Sequence, residues 1–130
     1  MDENRARTGA YAAVNGLRIY YETHGSGRPL VLLHGGVITL ARTFGPVLPA
    51  LAKNHQVIGI ELQGHGHTAD SEREMTLENL ASDVEALLGK LGIDQADFFG
   101  FSLGGMVSLE LAIRHPELAG RLATVIPFLG

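Results

Sequence analysis

Gly100-Phe101-Ser102-Leu103-Gly104 is the stretch of this sequence whose residue types and spacing best suit covalent chemistry. A serine hydroxyl serves as a nucleophile when a tight turn lifts it clear of the chain, and such a turn leaves no room for a Cβ two positions before or after it. Glycine stands at both of those positions, so the pattern has the form of a nucleophile elbow with Ser102 at its tip. The competing account is a glycine turn with an idle serine. The run His34-Gly35-Gly36 supplies a complement, a glycine-rich loop that can aim backbone N–H groups at a developing oxyanion. In that role Gly36 donates one hydrogen bond and Leu103, the first residue after the nucleophile, donates the other. A plain strand-to-loop turn is the alternative.

A serine nucleophile also needs a base. His65 and His67 lie in the turn-rich run 63–67, which should open on the same rim as Ser102, and either is a candidate substitute base. The plainer role for both is to hold the loop. Their spacing would suit a metal pair, but no third ligand lies near in sequence, and no metal site is expected. His115 stands thirteen residues beyond Ser102 on the same expected helix. At 1.5 Å per residue it is ~20 Å away, outside hydrogen-bond reach. His24 and His55 read as surface or loop residues.

For Ser102 and Gly36 to meet, strands and helices must alternate along the chain. Residues 11–14 and 17–22 flank Asn15-Gly16, a dipeptide that tolerates positive φ and suits a two-residue hairpin. After a turn at Gly25-Ser26-Gly27, Pro29 leads into 30–33, an apolar run without polar alternation, as expected of a strand buried on both faces. A short helix is expected over 44–53, although Pro49 removes a backbone donor there. A second buried strand is expected over 57–62. Between 76 and 91, Leu77, Leu80, Ala81, Val84, Leu87, Leu88 and Leu91 follow the i, i+3, i+4 rule of an amphipathic helix, with Thr76 as N-cap and Gly92 as stop. That stripe reads as core. A strand over 98–101 enters the elbow, a helix over 103–115 leaves it and halts at Pro116, and a last strand covers 122–126. The fold class is α/β: a mostly parallel sheet with an N-terminal β-hairpin and flanking helices.

The 130 residues, 45% hydrophobic and 18% charged, fit one globular domain over 10–130 after a loose start at 1–9. Ten Lys and Arg against fourteen Asp and Glu give a net charge of −4, without a basic cluster, which argues against nucleic acid as a partner. The chain has no Cys, so disulfides, thiolate metal sites and a cysteine nucleophile are excluded, and a cytoplasmic location is compatible. No stretch approaches the ~20 apolar residues of a membrane span, so no membrane partner is expected.

Taken together, Leu33-His34-Gly35-Gly36, Glu61-Leu62-Gln63-Gly64-His65-Gly66 and Gly100-Phe101-Ser102-Leu103-Gly104-Gly105 resemble the α/β-hydrolase family, in its order and at its spacing, from about Ala10 onward. The resemblance implies an ester-type serine hydrolase in which Ser102 attacks a carbonyl and Gly36 and Leu103 form the oxyanion hole. It implies a small-molecule ester or acyl substrate and no cofactor. Serine rather than aspartate at the elbow points away from haloalkane dehalogenases and epoxide hydrolases. The family usually carries Asp and Arg where this chain has Glu61 and Gln63, which leaves the ion pairing of that loop open. In the family the acid and the base follow the nucleophile, and members run to roughly twice this length or somewhat less. Beyond Ser102 the sequence offers only His115 as a histidine, and 127–130 hold no carboxylate. The expectation is a truncated α/β-hydrolase core, the N-terminal half, lacking the downstream acid and base and partnered by a missing C-terminal half or by a second copy in a homo-oligomer, a dimer. The alternative is a non-catalytic module that self-associates.

Overall fold

Leu30, Val31, Leu32 and Leu33 are all buried, because the strand that carries them lies inside a six-stranded sheet with apolar groups on both faces. The computed structural model describes residues 9–126. Of the loose start expected over 1–9, residues 1–8 lie outside the described residues, as does the tail 127–130, while Gly9 opens the first strand, paired with Glu22. The strands are β1 (Gly9–Val14), β2 (Leu17–His24), β3 (Arg28–Leu33), β4 (His55–Ile60), β5 (Ala96–Phe101) and β6 (Ala119–Val125), arranged in the order β1-β2-β4-β3-β5-β6. β3 to β6 run parallel, while β1 and β2 add an antiparallel hairpin against β4. Asn15 and Gly16, at φ 51° and 82°, make the hairpin turn with both central residues at positive φ, as a turn matched to strand twist requires.

Among the described residues four helices connect and cover the sheet: α1 (Leu40–Phe44), α2 (Leu48–Leu51), α3 (Leu77–Lys90) and α4 (Leu103–Arg114). α3 starts where expected, with the Thr76 hydroxyl accepting from the Asn79 amide at 3.0 Å, and its apolar stripe of Leu80, Val84, Leu87 and Leu88 is buried on one face of the sheet beside Val107 and Leu111 of α4. The other face is smaller: Leu40 and Phe44 of α1 pack on Leu30, Leu32 and Val57.

The single helix expected over 44–53 is two short ones, and the first begins earlier. Thr39 caps α1 by accepting from the Arg42 amide at 3.2 Å. The chain breaks at Gly45-Pro46, then resumes with Pro49 near the start of α2, where its missing N–H has no intrahelical acceptor to lose. β4 is displaced by two residues from the expected 57–62. His55 and Gln56 pair with Arg28 and Pro29, whereas Glu61 and Leu62 stay buried but turn into the loop, where the Leu62 amide donates to the His34 ring at 3.0 Å. β6 likewise starts at Ala119, aligned with Ala96, rather than at 122.

Candidate active site

The carboxyl ends of β3, β4 and β5 face one rim of the sheet, and the loops that leave them carry the motifs. At the end of β5 the chain reverses directly into α4 through Ser102, whose backbone stands at φ 54°, ψ −113°. A non-glycine residue in this region is strained and persists only where its surroundings over-determine it. The determinants here are two close backbone contacts. A Cβ on Gly100 would lie 2.3 Å from the Gly104 carbonyl oxygen, and a Cβ on Gly104 would lie 2.0 Å from the Leu33 carbonyl oxygen. Hydrogen bonds fix the rest: Ser102 N–H donates to Val125 O at 2.6 Å, Gly104 N–H to His34 O at 3.0 Å, and Met106 N–H to Ser102 O at 3.1 Å. The elbow is thereby tied to β6 on one side and to the end of β3 on the other. Leu103 is the first residue of α4, where N–H groups have no intrahelical acceptor and point off the helix end.

Gly36 lies against this turn, since a Cβ on it would sit 3.8 Å from the Leu103 side chain. The structure therefore brings Ser102, Leu103 and Gly36 together. The Gly36 amide shares its peptide plane with the Gly35 carbonyl, and that carbonyl accepts from His34 Nδ1 at 2.7 Å, so the wholly buried His34 ring sets the direction of the Gly36 N–H. Its other nitrogen, Nε2, accepts from the Leu62 amide. Burial holds the His34 imidazole below its ordinary value, partly offset by the Gly35 bond, so the ring is neutral and keeps one donor and one acceptor nitrogen at neutral pH.

His65 and His67 are placed differently. His65 packs its ring on His34 with centroids 4.8 Å apart, donates from Nδ1 to the Gln63 carbonyl at 2.9 Å, and accepts at Nε2 from the Val37 amide at 3.2 Å. Both nitrogens are engaged within the loops. His67 bonds the Glu61 carboxylate at 2.9 Å and stacks on Tyr20 of β2, 4.1 Å between centroids. β2 lies three strand positions from β5, about 14 Å at 4.8 Å per strand, so His67 is remote from the elbow. His115 caps the far end of α4 and faces Glu85 at 3.1 Å. Among the described residues no group of three or more His, Cys, Asp or Glu is arranged to hold a metal ion, and no helix is long and apolar enough to cross a membrane.

An open cleft of about 250 Å3 separates the two loops, between Val37, Ile38 and Thr39 on one wall and Gly64, His65 and Gly66 on the other. A smaller, apolar cavity under α1, lined by Leu40, Phe44 and Val57, has none of the elbow residues in its wall. The loop after β4 is braced by a network that the sequence left open. The Glu61 carboxylate accepts the His67 amide at 2.6 Å, and Gln63 bonds Asp70 at 2.9 Å and the Arg73 guanidinium at 3.1 Å. Arg73 and Val37 were not singled out from sequence. Arg73 had a signal in Asp83, a carboxylate on the apolar stripe of α3 that demands a cation, whereas nothing in the sequence marks the conformation of Val37.

A family model described as alpha/beta hydrolase fold matches residues 28–128. The chain is 40% identical over 114 residues to the soluble epoxide hydrolase of Corynebacterium sp. (strain C12), a match that covers 85% of this chain and 38% of that protein. It is 38% identical over 110 residues to the pimeloyl-[acyl-carrier protein] methyl ester esterase of Aeromonas hydrophila subsp. hydrophila, covering 84% of this chain and 41% of that protein. Among solved structures, an epoxide hydrolase, CorEH without ligand, superposes with a TM-score of 0.87 at 36% identity, over 90% of this chain and 41% of that one. The chain thus spans about two fifths of the length of these relatives.

Proposed function

Because the chain belongs to the α/β-hydrolase fold family, we propose that it carries the nucleophile and oxyanion loop of a serine hydrolase acting on small carboxylic esters or related acyl compounds. The observation that carries this reading is Ser102 at φ 54° between Gly100 and Gly104, with Gly36 packed against the adjoining Leu103. In the reaction the Ser102 oxygen adds to the carbonyl carbon as its proton passes to a base. The carbonyl oxygen becomes an oxyanion facing the Gly36 and Leu103 amides, and collapse expels the alcohol and leaves an acyl-serine ester that water hydrolyses. The base and its orienting acid come, in this reading, from outside residues 9–126, since His65 is engaged at both nitrogens and His67 is remote.

Two of the relatives described above are named epoxide hydrolases, and the chemistry of a serine nucleophile favours acyl transfer over that activity. A serine that opened an epoxide would be left as an ether, which water does not cleave, and the enzyme would stop after one turnover. On an acyl carbon the same serine forms an ester, and the cycle closes.

Incubating the chain with a fluorophosphonate probe and a short p-nitrophenyl ester, beside Ser102→Ala, tests the reading. The expected result is labelling confined to Ser102 and weak ester turnover lost in the variant. Without base and acid the acceleration should stay within the ~10³–10⁴ over water that an oxyanion hole and binding supply. An unlabelled serine with no Ser102-dependent turnover would reject it. A second reading is a non-catalytic module that pairs with its own copy; it draws on the exposure of Leu122 and Val125 on β6, the outermost strand within residues 9–126.

A further inference from the structure

His34 holds the amide of Gly36 from one side only. His34 fixes the peptide plane that precedes Gly36, through the Gly35 carbonyl. Glycine has the freest backbone of all residues, so this leaves the plane that follows, between Gly36 and Val37, able to swing about Gly36 itself. The next residue makes the swing favourable. Val37 stands at φ 55°, a conformation that a β-branched residue strongly disfavours, and the residue is wholly exposed, at 102% of the reference area, so no packing compensates the strain. What holds this plane is the Val37 N–H, which belongs to it and donates to His65 Nε2 at 3.2 Å, while His65 Nδ1 is anchored on the Gln63 carbonyl at 2.9 Å.

We propose that His65 is a positioning residue for the oxyanion loop: by accepting the Val37 amide it keeps Val37 at positive φ and, with His34, fixes both peptide planes that flank Gly36. The assignment rests on the serine-hydrolase reading for its consequence in catalysis, but the tether itself is a property of the loop. The two histidines act as a packed pair, their tilted rings 4.8 Å apart, each anchored on the chain that leaves β4, at Leu62 for His34 and at Gln63 for His65. The loop that binds the oxyanion is thus set by the loop of the neighbouring strand rather than by its own sequence. A fixed donor array matters because it stabilises the developing charge without reorganising as the charge appears.

The ring nitrogens can be tested separately. Gln at position 65 puts its amide oxygen near the place of Nε2 and keeps the acceptor for Val37. Asn keeps a donor near Nδ1 for Gln63 but does not reach Val37, and Ala keeps neither. In the 130-residue chain, amide hydrogen exchange at Val37 should show protection in His65→Gln close to that of the parent chain, and about tenfold less in both His65→Asn and His65→Ala. The rate of Ser102 phosphonylation by a fluorophosphonate should fall by a similar factor in those two variants. Adding Val37→Gly to His65→Ala should restore the phosphonylation rate without restoring protection, because glycine occupies positive φ with no tether. A merely structural role for His65 predicts instead that Gln, Asn and Ala variants follow their melting temperatures and that Val37→Gly rescues nothing. That outcome, or undiminished Val37 protection in His65→Ala, would overturn the proposal. If the parent chain resists the probe while Val37 exchange still depends on residue 65, the hydrolase reading fails and the tether stands.

Discussion

Arg73 holds the loop after β4 to the body of the domain by gripping a buried carboxylate. Its guanidinium meets both oxygens of Asp83, at 2.9 and 2.6 Å, and also reaches the Gln63 side chain. Asp83 is 1% exposed in its side chain and Arg73 is 25% exposed, so the pair is shielded well beyond a surface ion pair. Removing one partner of a buried pair leaves an uncompensated charge and costs about 3–5 kcal/mol. Arg73→Ala should lose stability near the lower end of that range, because water can reach part of the vacated site, and urea unfolding would measure it. Arg73→Lys should recover little, since an ammonium cannot span two carboxylate oxygens and an amide together. Sequence reading identified Glu61 and Gln63 as departures from the family pattern but could not say what replaced the missing pairing. The cation comes from ten residues along an irregular loop, where no period connects it to Gln63. That Ser102, Leu103 and Gly36 meet at one turn was legible because fixed spacing carries them. The partners of His65 and the strain at Val37 were not, because they arise between loops that only the sheet brings together.

At the scale of elements, the junction of β5 and α4 depends on glycine for space, and that differs from a dependence on glycine for freedom. Gly104 sits inside α4 at ordinary helical φ, yet a Cβ there would strike the Leu33 backbone oxygen at 2.0 Å. No rotamer change relieves a clash with backbone, so the helix would have to move away from β3. Gly104→Ala should therefore be destabilising at the upper end of overpacking costs, about 3 kcal/mol, and should lower Ser102 labelling as the elbow opens. Gly89 of α3 is the control. A Cβ at that position meets nothing within 4 Å, and its φ is helical, so Gly89→Ala should stabilise by about 0.5–1 kcal/mol. Parallel thermal melts of the two variants, expected to shift in opposite directions, check both. The long elements were readable because α3 repeats its apolar residues over four turns and β3 and β5 are nearly all apolar. The short α1 was not readable, since five residues carry too little period and its N-cap, Thr39, is one polar residue among several.

On the largest scale, within residues 9–126, one outer strand of the sheet is dressed by its neighbours and the other carries exposed apolar side chains. At the β1 end the hairpin closes with Tyr11 packed edge-on to Tyr20 and Arg18 lying over Tyr11, which dresses the outer strand with polar and aromatic groups. At the opposite end β6 is the outermost strand, and its first half is secured: the Asp97 carboxylate takes two bonds from Arg28, at 2.7 and 3.1 Å, and one from the Arg121 amide at 2.7 Å. Beyond Arg121 the strand has no such side-chain brace among the described residues. Leu122, Val125 and Ile126 are exposed along it, and on the neighbouring surface of α4 Met106, Leu109 and Ile113 are exposed as well, Ile113 at 77%. An exposed strand edge offers a row of unpaired N–H and C=O groups, and apolar side chains beside it add a hydrophobic drive to pair. Two copies related by a two-fold axis can satisfy both needs at once, with each β6 laid antiparallel to the other and the α4 surfaces brought together, in the closed assembly most common among soluble oligomers. Sedimentation velocity at micromolar concentration should show the 130-residue chain as a dimer, and Val125→Lys, which places a charge on the strand that would pair, should shift it to monomer without changing the far-ultraviolet circular dichroism. A clean monomer for the parent chain would count against pairing through β6 and, with it, against the self-associating reading.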